Sequence, residues 1–231
     1  MRTSVRFAIV LGLVMGGFTP APLLAQDLSL PPLEEQVIEQ SSSVEALGLV
    51  QNYMKTVRSL KADFIQLAPG GNQTNGTLYL ERPGKIRFDY AGDVPFLVVS
   101  DGEVINFVDY EIGQVTKVPV SDTPLRALFG NGFDVTGIGA HIEQLDIGNQ
   151  RFVSLTATMP NQPEAGEITV YFERSDSAPS GLVLRRWLVL DAQGQQTAVL
   201  ISGNETNVEL ASSLWKFKDP RGLAKRPRRR R

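Results

Sequence analysis

The chain reads as a mainly β protein: one curved antiparallel sheet or open barrel, entered from a single amphipathic helix. Three observations predict this. From Ala62 onward the apolar period changes from helical spacing to two. Turn-forming pairs then separate about ten short runs at close spacing. Finally, two alternating runs flank the corner Arg82-Pro83-Gly84, with Leu78 and Leu80 before it and Ile86, Phe88 and Tyr90 after it. Lys85, Arg87 and Asp89 oppose the second set, so this hairpin has one apolar and one wet face.

Residues 1–25 read as an address. Arg2 and Arg6 precede an apolar run from Phe7 to Phe18, Pro20 and Pro22 break it, and Leu23-Leu24-Ala25 offers a cleavage site. A membrane span needs about 20 apolar residues, so a cleaved secretory signal fits better than an uncleaved anchor. Residues 26–43, rich in Pro, Glu and Gln, read as a flexible leader. Ser42-Ser43-Val44-Glu45 then forms a capping-box pattern. Leu47, Val50, Met54, Val57 and Leu60 follow at helical spacing, which predicts a helix of about 18 residues.

The expected strands are 62–67, 77–81, 85–90, 96–100, 104–109, 114–118, 151–158, 167–174, 182–191 and 195–203. Pro69-Gly70-Gly71, Asp101-Gly102, Ile112-Gly113 and Ala192-Gln193-Gly194 mark turns between them. Ser121-Asp122-Thr123-Pro124 reads as a second helix start, with Leu125, Leu128 and Phe129 as its apolar face. A glycine-rich loop from Gly130 to Gly139 follows. The apolar faces of both helices need burial, and the concave side of the sheet is where they would plug.

Composition excludes several chemistries. There is no cysteine, hence no disulfide framework, thiolate nucleophile, cysteine metal site or lipid-attachment cysteine. Of 23 Lys and Arg, two lie in residues 1–25 and seven in the last eleven residues, leaving 14 against 25 acidic groups in the body. An acidic body argues against a nucleic-acid surface. The lone histidine, His141, lacks a Gly-x-Ser-x-Gly partner motif, so a hydrolase using it as base is the weaker reading. Gly137-Ile138-Gly139 lacks the third glycine of a dinucleotide fingerprint, and Asp and Glu show no metal-loop spacing. No cofactor, metal or catalytic residue is expected.

The basic tail, residues 223–231, holds Arg226, Arg228, Arg229, Arg230 and Arg231 and has two readings. It could contact an anionic membrane or an acidic partner, or it could be a solvated terminus.

The order Phe64-Ile65-Gln66, then Gly76 to Phe88 with Arg82-Pro83-Gly84 inside it, then Val99-Ser100-Asp101-Gly102 resembles a known family. Asp109-Tyr110, Gln114-Val115, Thr123-Pro124-Leu125 and, more loosely, Phe217 to Gly222 extend the match. The chain resembles the periplasmic outer-membrane lipoprotein carrier proteins, the LolA family of Gram-negative bacteria.

That resemblance implies an incomplete antiparallel β-barrel of about ten or eleven strands. An N-terminal amphipathic helix and a short internal helix would close its apolar cavity, with 44–222 as one carrier domain. It also implies a monomeric periplasmic chaperone. Such a chaperone takes acylated lipoproteins from an inner-membrane ABC transporter and passes them to an outer-membrane receptor. Arg82 matches the family arginine that latches the lid over the empty cavity. The cavity would be lined by Val50, Met54, Val57, Phe64, Leu78, Leu80, Ile86, Phe88, Tyr90, Leu125 and Leu128. A lipid or glycolipid shuttle, or a lipoprotein-sensing module of the same fold, is the alternative within this architecture.

Overall fold

The computed structural model describes residues 43–123, 140–158 and 166–222. The expected second helix with Leu125 and Leu128, the glycine-rich loop, the leader and the basic tail lie outside the described residues.

One helix, α1 (Ser43–Thr56), precedes a sheet of β1 (Ser59–Leu67), β2 (Gln73–Glu81), β3 (Lys85–Tyr90), β4 (Phe96–Asp101), β5 (Val104–Asp109) and β6 (Gln114–Pro119). A 3-10 turn at Val120–Asp122 follows, and then β7 (His141–Ile147), β8 (Gln150–Thr158), β9 (Gly166–Arg174), β10 (Leu182–Asp191) and β11 (Gln196–Thr206). The eleven strands among the described residues join one sheet in the order β6-β5-β4-β3-β2-β1-β11-β10-β9-β8-β7, every neighbouring pair antiparallel. The first and last strands pair next to each other through β1 and β11, while β6 and β7 are left as the two edges. The barrel is therefore incomplete.

The core shows that the sheet curls. One continuous apolar cluster holds Ala46, Val50, Tyr53 and Met54 of α1 together with residues as distant as Ile105 of β5 and Ile142 of β7. Helix α1 itself meets β7 and β10, while Arg82 at the end of β2 bonds to the Val57 carbonyl at its exit, so strands far apart in the sheet order converge on one helix, which a flat sheet would not allow.

Period-two alternation directs Leu60, Ala62 and Phe64 inward from β1, Leu78 and Leu80 from β2, and Ile86 and Phe88 from β3. In β10 the register shifts between Leu184 and Arg186. This bulge changes the phase, so Leu182 and Leu184 share the inner face with Trp187 rather than with Arg186.

Two elements depart from the sequence expectation. The helix ends at Thr56, not near Leu60, because the chain is captured by strand pairing. Arg58 N donates to Asn207 Oδ1 at 2.8 Å, Arg82 N donates to the Arg58 carbonyl at 2.8 Å, and Leu60 pairs with Leu80. Val57 and Leu60 are buried as expected, but from the helix exit and from β1. The second departure is β7, which no alternating run announces. It forms at the sheet edge by pairing with β8 across Gly148-Asn149, with Ile142 as its one buried apolar residue. A glycine-asparagine pair between two segments is a hairpin signal, and here it was the only one available.

The Pro83-Gly84 turn is built as expected. Gly84 has φ +72°, and a Cβ there would lie 2.3 Å from the Gly102 carbonyl oxygen, so no other residue fits.

Candidate functional site

The inner face of the curled sheet is the candidate site. Val50, Met54, Val57, Phe64, Leu78, Leu80, Ile86 and Phe88 are all buried and all belong to the one apolar cluster. Tyr90, half-buried, packs against the same cluster. The predicted cavity residues within the described chain are thus brought together. They pack against each other and against α1 in one continuous apolar cluster.

Aromatic rings dominate one part of it. Phe64 meets Phe88 edge to face at 5.1 Å and Tyr90 at 5.3 Å, and Phe88 meets Trp187 at 5.8 Å. The Tyr90 hydroxyl donates to Gln66 Oε1 at 2.9 Å, which satisfies a polar group among apolar neighbours. Burial drives the Tyr90 pKa above its ordinary range.

Arg82 sits at the end of β2, beside the helix exit. Its Nε donates to the Val57 carbonyl at 2.9 Å, and its guanidinium lies 5.9 Å from the centre of the Tyr53 ring. Val57 is the residue after α1 ends, so this bond reaches one of the helix's last carbonyls. Burial lowers the Arg82 pKa from its usual value; Tyr53 opposes the shift and Arg58 adds to it. Burial also pushes the Tyr53 phenol up to about 12.

Several contributors to the inner face were not read from the sequence. Tyr53 lies one position from the stripe of Val50 and Met54, and its ring packs 4.8 Å from that of Phe172. Trp187 was hidden by the β10 bulge, which broke the alternation that would have assigned its face.

A second apolar group lies on the outside of the sheet. Leu97 and Val99 of β4 and Val108 of β5 are covered there, with Val115 and Phe217 packed against them. Phe217 belongs to the segment 212–222, which is fastened to the outer face. Arg87 Nη1 donates to the carbonyls of Leu214 at 2.9 Å and Lys216 at 3.2 Å, and Trp215 Nε1 donates to Glu81 Oε2 at 3.2 Å. Lys85 lies 5.6 Å from the centre of the Trp215 ring. Both faces of β4 and β5 are thus covered, and their central residues are buried without alternation.

His141 opens β7 on the exposed side, and its Nε2 lies 2.8 Å from Glu143 Oε1. Among the described residues no group of three His, Cys, Asp or Glu could hold a metal ion, and no helix is long and apolar enough to cross a membrane.

Comparison with known proteins agrees with this architecture. The family model described as outer membrane lipoprotein carrier protein LolA matches residues 55–218. An outer-membrane lipoprotein carrier protein of Dechloromonas aromatica is 30% identical over 186 residues, covering 77% of this chain and 85% of that protein. Another, of Chromohalobacter salexigens, is 29% identical over 218 residues, covering 90% of this chain and 96% of that one. Matched over most of its described strands and over most of the length of these relatives, the chain belongs to the outer-membrane lipoprotein carrier family.

Proposed function

We propose that this chain is a periplasmic chaperone that shields the acyl chains of lipoproteins between the inner and the outer membrane. It performs no chemistry. The observation that carries this reading is the single apolar inner face, continuous across the curled sheet and covered by one helix.

Each methylene buried contributes about 0.8 kcal/mol, so a lipoprotein with several acyl chains does not cross water unaided. A surface able to replace α1 against those chains would carry them. Because α1 packs against the inner face, lipid must displace it, and binding is weakened by the fraction of time the helix is seated. That penalty is what allows release without an energy source. Arg82 serves as the latch: its charge-assisted bond to the Val57 carbonyl steadies the seated helix and can be surrendered when lipid displaces it.

Cargo would come from an inner-membrane lipoprotein-releasing ABC transporter and go to an outer-membrane lipoprotein receptor, with the carrier acting as a monomer. The domain reading fits this route: residues 1–25 direct export, 26–43 form a leader, 44–222 form the carrier and 223–231 a basic tail. The acidic balance of the body argues against a nucleic-acid surface.

The test is competition. Purified protein should bind N-phenyl-1-naphthylamine, and triacylated lipoprotein should displace it at lower concentration than phospholipid or glycolipid. Preferential displacement by free lipid would replace this reading with a lipid shuttle. Failure of the fluorophore to bind would remove the cavity altogether.

A further inference from the structure

The chain leaving β11 holds both stretches of backbone that the Arg82–Val57 bond joins. At its start Asn207 takes φ +57°, a left-handed turn that asparagine tolerates. Its Oδ1 accepts from Arg58 N at 2.8 Å, and its own N donates to the Ser59 carbonyl at 2.8 Å. The Val208 carbonyl accepts from Ser59 Oγ at 2.6 Å. The residues on which the chain passes from α1 to β1 are thus fixed by this segment.

Further along, the same segment reaches the corner that carries Arg82. Ser59 stands opposite Glu81 in the β1–β2 register, and Glu81 opposite Lys85 in the β2–β3 register. These three share the outer face, while Leu60, Leu80 and Ile86 take the inner one. Trp215, the last residue of the 3-10 turn Ser212–Trp215, meets them there. Glu81 divides its carboxylate: Oε1 accepts from Lys85 Nζ at 2.7 Å, and Oε2 accepts from Trp215 Nε1 at 3.2 Å. Lys85 Nζ lies 5.6 Å from the centre of the Trp215 ring. Glu81 and Lys85 bracket Arg82-Pro83-Gly84, so the three side chains hold the corner from outside. Arg87 Nη1, on the carbonyls of Leu214 and Lys216, fixes the backbone on either side of Trp215.

Arg82 points to the other side of the sheet, where its Nε donates to the Val57 carbonyl at 2.9 Å. Hydrogen bonds weaken steeply as distance and angle depart from the optimum, so this bond depends on where the corner is held. Strand pairing, through Arg82 N on the Arg58 carbonyl, fixes the corner within the plane of the sheet. It does not fix how far the corner tips out of that plane. Trp215 and Glu81 supply that restraint from the outer side.

We propose that the segment 207–217 is a brace for the Arg82 latch. Trp215, Glu81 and Asn207 are its positioning residues: they set the Arg82–Val57 bond through the two stretches of chain that carry it. The consequence for lipid entry rests on the carrier reading; the link between Trp215 and the latch does not.

The experiment is a double-mutant cycle on the full chain. Trp215→Phe keeps an aromatic ring on the outer face and removes the Nε1 donor. It should raise exchange of the Val57 amide, which bonds to the Tyr53 carbonyl at 2.9 Å, about two- to ten-fold, the range for one hydrogen bond. Association of N-phenyl-1-naphthylamine should accelerate by a similar factor. Glu81→Ala should match Trp215→Phe, and Glu81→Gln, which keeps an acceptor for Trp215, should stay closer to the parent. In an Arg82→Leu background Trp215→Phe should add nothing to either readout, because the brace acts through Arg82. Should Trp215→Phe fail to fold, Glu81→Ala completes the same cycle. Parent-like Val57 exchange in the disrupting variants would overturn the brace. So would effects that add fully to those of Arg82→Leu, since additivity marks separate structural roles. A rise confined to β4 and β5 would overturn it as well, because Trp215 would then only cover the sheet. If the fluorophore does not bind the parent protein, the carrier reading fails, and Val57 exchange still decides the brace.

Discussion

Tyr53 shows how much one side chain of α1 is asked to do. Its ring lies 4.8 Å from that of Phe172 on β9, and the Arg82 guanidinium lies 5.9 Å from its centre on the other side. Desolvation dominates the balance, pushing the phenol from 10.0 up to about 12, while Arg82 pulls it down. The sign follows from linkage. The folded protein holds the phenolic proton more tightly than the unfolded chain, so this stabilisation is complete below pH 10 and is lost as pH rises toward 12. A shift of this size corresponds to about 2–3 kcal/mol. Urea titrations between pH 9 and pH 11 should therefore show falling stability, with a shallower fall in Tyr53→Phe. An identical slope in the variant would show that Tyr53 does not titrate with unfolding. Tyr90 and Tyr110, also raised by burial, contribute to the slope that remains.

The segment 212–222 is the element whose role was least legible. In sequence it carries only a loose family likeness at Phe217 to Gly222, with no period to assign. In the fold it covers the outer apolar patch of β4 and β5, with Trp215 8% exposed and bonded to Glu81. Trp215→Ala should cost about 3 kcal/mol, near the low end for a buried tryptophan. It should also raise amide exchange in β4 and β5 more than in β9, as measured by mass spectrometry. A variant with parent stability would mean that the segment rests on the sheet without supporting it. By contrast, β3 was readable to the residue and β2 over 77–81, although that strand begins earlier, at Gln73, because each has one apolar and one wet face and they share a turn that only glycine can complete. Strand β7 was missed because a single buried residue, Ile142, leaves no alternation to detect.

At the scale of the molecule, the described strands form one open sheet of eleven whose inner face packs against α1. On the carrier reading, an apolar ligand reaches this face only after α1 leaves it. The observed rate of fluorophore binding in stopped flow should rise with ligand concentration and then reach a plateau at the opening rate. A rate that stays linear to high ligand concentration would place the ligand on the outer surface.

The amino-acid sequence by itself determined the class of fold, the inward faces of β1 to β3, the Arg82-Pro83-Gly84 corner and the family. These are local properties: period, turn chemistry and motif order are written within a few residues of one another. Only the tertiary structure decided where α1 ends, which face Trp187 takes after the β10 bulge, and what covers the outer patch. It alone joined Glu45 to Arg174, which lie 129 positions apart. Contacts across such distances arise from the curl of the sheet and the register of its strands. No local pattern encodes them, because each depends on every strand pairing that lies between.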